Sequence, residues 1–130
     1  MEATIDISKL MRAKAEAGFL VGPPRIGYRA VRTPEGSRAV PDPDTAPLVA
    51  RAFVEVACNG LSLRQVTRLL QGLGLVGRRG EPVSLPTVQR MLSDPYYTGE
   101  GTSVGAAIVP APLFEEVKER IRARRTTRLG

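Results

Sequence analysis

Histidine is missing from this chain altogether, which removes at once the commonest general base and the commonest neutral metal ligand. Cysteine occurs once, as Cys58, so neither an intrachain disulfide nor a four-cysteine zinc site can form. Lying beside Asn59-Gly60 at an expected helix end, Cys58 is read as a small buried apolar side chain. No run of about 18 apolar residues occurs, so no membrane span is expected. The N-terminus, MEATIDISKL, has early acidic residues and no apolar stretch of the signal-peptide kind, which points to the cytoplasm. Aromatic residues are only 5% against 42% hydrophobic, so aliphatic side chains must build the core of a single 130-residue domain or a domain with appendages. Without histidine, a cluster of metal ligands or a phosphate-cradling glycine loop, the chain does not read as an enzyme in its own right. No cofactor and no metal are expected.

What is abundant is arginine. Basic residues number 19 against 13 acidic ones, a formal charge of +6, and sixteen of the basic residues are arginine. The planar guanidinium fork suits phosphate and guanine, so the balance favours a nucleic-acid partner. Between Gly60 and Asp94, Arg64, Arg68, Arg78, Arg79 and Arg90 face only Glu81 and Asp94.

The organising stretch is SLRQVTRLLQGLGLVGRRGEPVSLPTVQRML, from Ser62 to Leu92. It reads as two short helices, about 62–71 and 84–92, each begun by a serine able to accept from a first-turn N–H. In the first, Leu63, Val66 and Leu70 recur at helical spacing, with Arg64 and Arg68 on the other side. In the second, Leu85, Val88 and Leu92 form the inner face; Pro86, Thr87 and Arg90 point away, and Pro86 falls where a missing N–H costs nothing. Gly72, Gly74, Gly77 and Gly80 break the chain between them, with Arg78 and Arg79 at the bend. The layout is that of a helix-turn-helix with a long turn, its second helix short enough for a DNA major groove.

The flanks supply scaffold. Residues 4–17 favour a helix stopped at Gly18, either docked on the domain or the end of a longer helix. A β-hairpin is expected over about 26–40, turning at TPEG. Its Arg25, Arg29, Arg32 and Arg38 fit either solvation or phosphate contact. A helix over 45–58 starts from Asp42-Pro43-Asp44, with Asp44 the better cap, and ends at Asn59-Gly60. Its wide apolar face includes Val49, Phe53 and Val56, and Arg51 and Glu55 pair one turn apart. Tyr96 and Tyr97 are expected to pack rather than to touch phosphate. Residues 106–109 suggest an edge strand. A last helix with a basic tail, over 113–130, presents Leu113, Phe114, Val117 and Ile121, folded on the core or offered to a partner. Its arginine-rich end suits either the helix dipole or a segment lying on DNA.

In this order the segments MRAKAEAGFLVGPPRIGYR, PDPDTAPLVARAFVEVACNGLSLRQVTRLLQGLGL, LPTVQRMLSDPYYTGE and AIVPAPLFEEVKERI resemble the recombinase domain of the large serine recombinases, a group of serine integrases and transposon resolvases. The resemblance runs from about Leu10 to Ile121. It implies an α+β, mainly α domain in which a helix-turn-helix core of three to four helices carries a small hairpin. Residues 1–18 would be the end of the helix connecting an upstream catalytic domain, 19–112 the DNA-binding domain, and 113–130 the helix and basic tail towards a downstream domain. The family's nucleophilic serine belongs to the upstream domain, so no catalytic serine is assigned here; Ser62 and Ser84 are caps. With Cys58 alone, the family's cysteine-bearing zinc ribbon is not expected. The implied function is sequence-specific binding of double-stranded DNA at an attachment site, by a monomer whose parent assembles through its catalytic part. Thr87 and Arg90, with Gln89 on the flank, are the expected base readers. Arg25, Arg29, Arg64, Arg68, Arg78 and Arg79 are the expected backbone contacts. A helix-turn-helix transcriptional regulator, or a protein-interaction module using the last helix, are the alternatives.

Overall fold

The computed structural model describes residues 24–77, 79–99 and 107–129, with 125–129 as backbone alone. The expected helix over 4–17 and Arg78 lie outside the described residues. The described chain forms a two-stranded antiparallel hairpin and four α-helices, an α+β and mainly α architecture as the sequence implies.

Strands β1 (Tyr28–Thr33) and β2 (Gly36–Pro41) pair from Tyr28 with Pro41 to Thr33 with Gly36. Arg29 to Arg32 are all exposed on β1. Two strands alone are marginal in water, so the hairpin needs anchoring at its root. Tyr28 supplies it: this side chain is buried, packing edge-on against Tyr96 at 5.2 Å between ring centres and against Tyr97 at 5.6 Å. Gly27, at φ +95°, brings the backbone so close to the core that an added Cβ would lie 2.9 Å from Val49 Cγ2.

Helix α1 (Ala46–Asn59) buries Val49, Ala52, Phe53, Val56 and Ala57, and Gly60 ends it at φ +67°. Two expectations fail here. Asp44 does not cap this helix: the chain turns at Asp42, whose Oδ1 accepts from the amides of Asp44 (2.8 Å) and Thr45 (3.4 Å), and Thr45 takes the cap position. Cys58 is exposed rather than buried, because it shares the face of Arg51 and Val54, which are also exposed, and lies off the apolar stripe. The Arg51–Glu55 pair does form, at 3.5 Å.

Helix α2 (Leu63–Gly72) starts with a reciprocal cap: Ser62 Oγ accepts from the Gln65 amide (3.2 Å), and Gln65 Oε1 accepts from the Ser62 amide (2.9 Å). Val66, Thr67 and Leu70 are buried. The connection to α3 is tighter than its glycines suggest. Val76 bridges Pro82, Gly77 N–H donates to Glu81 O (2.7 Å), and Val83 N–H donates to Leu75 O (3.2 Å). Leu75 and Val83 plug this tongue into the core, and Gln71 Nε2 holds Val83 O at 2.8 Å.

Helix α3 (Leu85–Leu92) is capped by Ser84 and buries Val88, Met91 and Leu92. Met91 thus replaces Leu85 as the third core residue; in so short a helix the contacts made by its C-terminal turn decide which stripe faces inward, and Leu85 is only half-buried. A 3₁₀ turn (Pro95–Thr98) then buries Tyr97, whose hydroxyl donates to Ile26 O at 2.7 Å. The tyrosines therefore pack, as expected. No strand forms at 107–109: the amides of Ile108 and Val109 both donate to Tyr97 O, and Pro110 has no N–H to extend a ladder. Helix α4 (Ala111–Leu129) begins two residues before the expected position, accommodating Pro112 in its first turn. Phe114 and Val117 are buried, and α4 packs chiefly on α1, also touching α3 and the 3₁₀ turn. Of the apolar face expected on α4, Phe114 and Val117 are thus buried in its own core, with Leu113 and Ile121 partly buried beside them.

Candidate nucleic-acid interface

At 3.6 residues per turn, the side chains of α3 divide into three directions. Val88, Met91 and Leu92 turn inward. Thr87 and Arg90, three residues apart, share one flank; Leu85 and Gln89, four apart, share the other. Each flank borders its own hollow.

The Thr87 flank opens on a hollow of about 410 Å³ that also gathers Arg25, Arg79, Glu81 and Asp94. Four of the expected DNA-contacting residues, Arg25, Arg79, Thr87 and Arg90, thereby come together although they are drawn from the arm that precedes β1, the tongue and α3. Arg79 and Arg90 are exposed. Thr87 is fixed by the cap: Ser84 Oγ accepts from its amide (3.4 Å) and donates to its Oγ1 (3.0 Å). Since Thr87 oxygen accepts in that bond, its own hydroxyl proton remains for a ligand.

Arg25 is engaged within the protein. Its Nε donates to Asp94 Oδ2 at 2.7 Å, and its guanidinium carbon lies 3.9 Å from the centre of the Tyr96 ring. Asp94 Oδ1 in turn accepts from the Tyr96 amide (3.0 Å). The arm is thus latched to the chain just beyond α3. Burial raises the hydroxyl pKa values of Tyr28, Tyr96 and Tyr97 above the usual tyrosine range, the nearby Asp94 carboxylate adding to the effect and Arg25 opposing it. These rings stay neutral and serve as packing.

The other expected residues are elsewhere. Gln89 lies on the opposite flank, in a second hollow with Arg64. Arg68 is exposed on α2 and Arg29 on β1, neither lining these hollows. Sequence reasoning missed the Arg25–Asp94 latch, which joins residues 69 positions apart, and the approach of Arg120 and Arg124 of α4 to the Gln89 flank. It placed Ser62 as a cap but missed the return bond from Gln65 that makes the cap reciprocal, for which the S-x-x-Q spacing was a readable signal. Among the described residues no group of three or more acidic or cysteine side chains could hold a metal ion.

The family model described as Recombinase matches residues 43–124, most of the chain and all of α1 to α3. The chain belongs to the recombinase family. No curated protein and no solved structure matches it. Membership of the recombinase family supports a role in site-specific recombination and implies DNA as the partner. The matched span covers α1, α2 and α3 and reaches Arg124 on α4, while the hairpin precedes it. No helix among the described residues is long and apolar enough to cross a membrane.

Proposed function

We propose that this recombinase domain binds double-stranded DNA sequence-specifically at a recombination site, as the targeting part of a serine site-specific recombinase. The observation that carries this reading is the convergence of Thr87, Arg90 and Arg79 on one flank of a capped, eight-residue helix. Such a helix is about 12 Å long, comparable to the width of the B-DNA major groove. Arg90 can offer two parallel N–H groups to guanine O6 and N7, and the Thr87 hydroxyl can donate to or accept from either base of a pair. Gln89, on the opposite flank, is a secondary reader.

Arg68, Arg64, Arg79 and Arg29 are assigned to phosphate, where contacts fix register without reading sequence, and Arg78 is assigned with them. Arg25 joins them only by leaving Asp94. Strand exchange itself is assigned to no serine of this chain: the Ser62 and Ser84 hydroxyls are committed to capping α2 and α3.

The test is selection from a random duplex pool at two salt concentrations, with Arg90→Ala and Arg68→Ala beside the parent protein. One sequence should be enriched. Arg90→Ala should relax preference at one position by about 1–3 kcal/mol, whereas Arg68→Ala should weaken every duplex alike and reduce the salt slope by about 1. A pool that returns without enrichment at either salt would refute sequence reading by α3.

A further inference from the structure

The Gln89 flank of α3 borders a hollow of about 530 Å³ whose chemistry differs from that of the Thr87 flank. Leu61, Leu63, Leu85 and Ile121 give it an aliphatic floor, all of them only partly buried. Arg64, Arg120 and Arg124 stand on its rim, and among the described residues no acidic side chain lines it. By contrast, the Thr87 hollow contains Glu81 and Asp94 among its arginines.

Two of the rim arginines are held in place. Arg120 Nε pairs with Glu116 Oε2 at 2.8 Å, a carboxylate that does not line the hollow, and Arg124 donates to the Gly60 carbonyl. Guanidinium groups fixed before binding lose less rotamer freedom when a ligand arrives. A DNA backbone would satisfy the rim yet set charged phosphates over an aliphatic floor. A segment with leucine-type residues on one face and carboxylates beside them satisfies both floor and rim. A second copy of this chain is a poor occupant, since the chain carries +6 and Phe114 and Val117 of its own glutamate-rich helix α4 are buried in its core.

We propose that this hollow is a docking groove for an acidic, amphipathic helical segment of a protein partner, placed on the flank of α3 opposite Thr87 and Arg90. The inference does not depend on DNA reading by α3. Under the DNA reading proposed above, a partner seated there would also cover Gln89 and Arg64 and so couple its presence to DNA binding.

The experiment uses the full chain and a fluorescent helical peptide of about 16 residues, with leucines at i, i+4 and i+7 flanked by glutamates. Two control peptides replace the leucines by serine or the glutamates by lysine. The acidic leucine peptide should bind, the serine peptide should bind about ten-fold more weakly, and Leu61→Ser should weaken the parent peptide comparably. Arg120→Glu/Arg124→Glu, at two exposed positions, should lose the acidic peptide and gain the lysine peptide, a reversal that mere misfolding cannot produce. The groove is refuted if the acidic peptide fails to bind, or if its leucines prove dispensable. It is equally refuted if the double arginine variant weakens a duplex of about 20 base pairs as Arg68→Ala does, without reversing peptide preference, for the rim would then belong to the DNA face. The DNA reading is judged separately, through Arg90.

Discussion

Arg25 and Asp94, 69 residues apart in sequence, meet at 2.7 Å and latch the arm before the hairpin to the chain just beyond α3. The latch has two parts, an ion pair and the stacking of the same guanidinium over Tyr96. It orders one wall of the Thr87 hollow before any ligand arrives.

Arg25→Ala should lower stability by about 1–2 kcal/mol, because a half-exposed ion pair contributes up to about 1 kcal/mol and the cation–π contact a similar amount. Arg25→Lys should recover part of this, keeping charge but losing the planar stack. Urea unfolding at low and high salt separates the two parts, since only the ion pair is strongly screened. Equal midpoints for Arg25→Ala and the parent would show that the latch contributes nothing.

Gly27→Ala should be among the most damaging single-methyl additions to the chain. The residue would have to hold φ +95° and would place its Cβ 2.9 Å from Val49 Cγ2 and 3.1 Å from Ile108 Cδ1. Left-handed strain of about 1–2 kcal/mol adds to an overpacking cost of about 1–3 kcal/mol. Thermal unfolding measures the sum; Gly60→Ala, where nothing lies within 4 Å, serves as the strain-only comparison. Similar losses at both positions would mean that the core yields freely around residue 27.

The two helix-capping serines should respond differently to alanine. Ser62→Ala removes half of a reciprocal cap and should cost about 1 kcal/mol in stability alone. Ser84→Ala should cost a similar amount and also release Thr87, whose hydroxyl it now holds at 3.0 Å. Base preference measured by duplex selection should therefore blur in Ser84→Ala and stay sharp in Ser62→Ala. Identical preference profiles for the two variants would separate the Ser84 bond from reading.

These caps mark what was legible in the sequence. Ser62, Ser84, Pro86 and Gly60 act through bonds and dihedrals within a few residues of themselves, so spacing alone locates them. The separation of Thr87 and Arg90 from the inner face of α3 is likewise a matter of helical period. Leu75, Val83 and Met91 were not legible as core, because their burial depends on how the tongue folds back and on which side of α3 meets its neighbours. Cys58 was misread since its neighbours suggested a helix end while its face, shared with Arg51, decided exposure. The candidate site divides in the same way: its residues on α3 follow from period, whereas Arg25, Arg120 and Arg124 reach it only through contacts with distant segments.

Tyr97→Phe should change both stability and its dependence on pH. The buried hydroxyl donates to Ile26 O at 2.7 Å, so its loss should cost about 1–2 kcal/mol near neutrality. Burial also holds the Tyr97 and Tyr28 hydroxyls protonated well above the usual tyrosine value. Below about pH 10 folded and unfolded chains are both protonated at these sites, and the stabilisation is fully present. Above it the unfolded chain releases protons that the folded chain keeps, so the unfolded state binds fewer and stability falls as pH rises. Each tyrosine contributes a slope of about 1.4 kcal/mol per pH unit in that window. Removing one of them should make the fall shallower, so that the parent and Tyr97→Phe curves, measured by urea unfolding from pH 8 upward, converge at high pH. Parallel curves would show that Tyr97 titrates in the folded protein as it does in the unfolded chain.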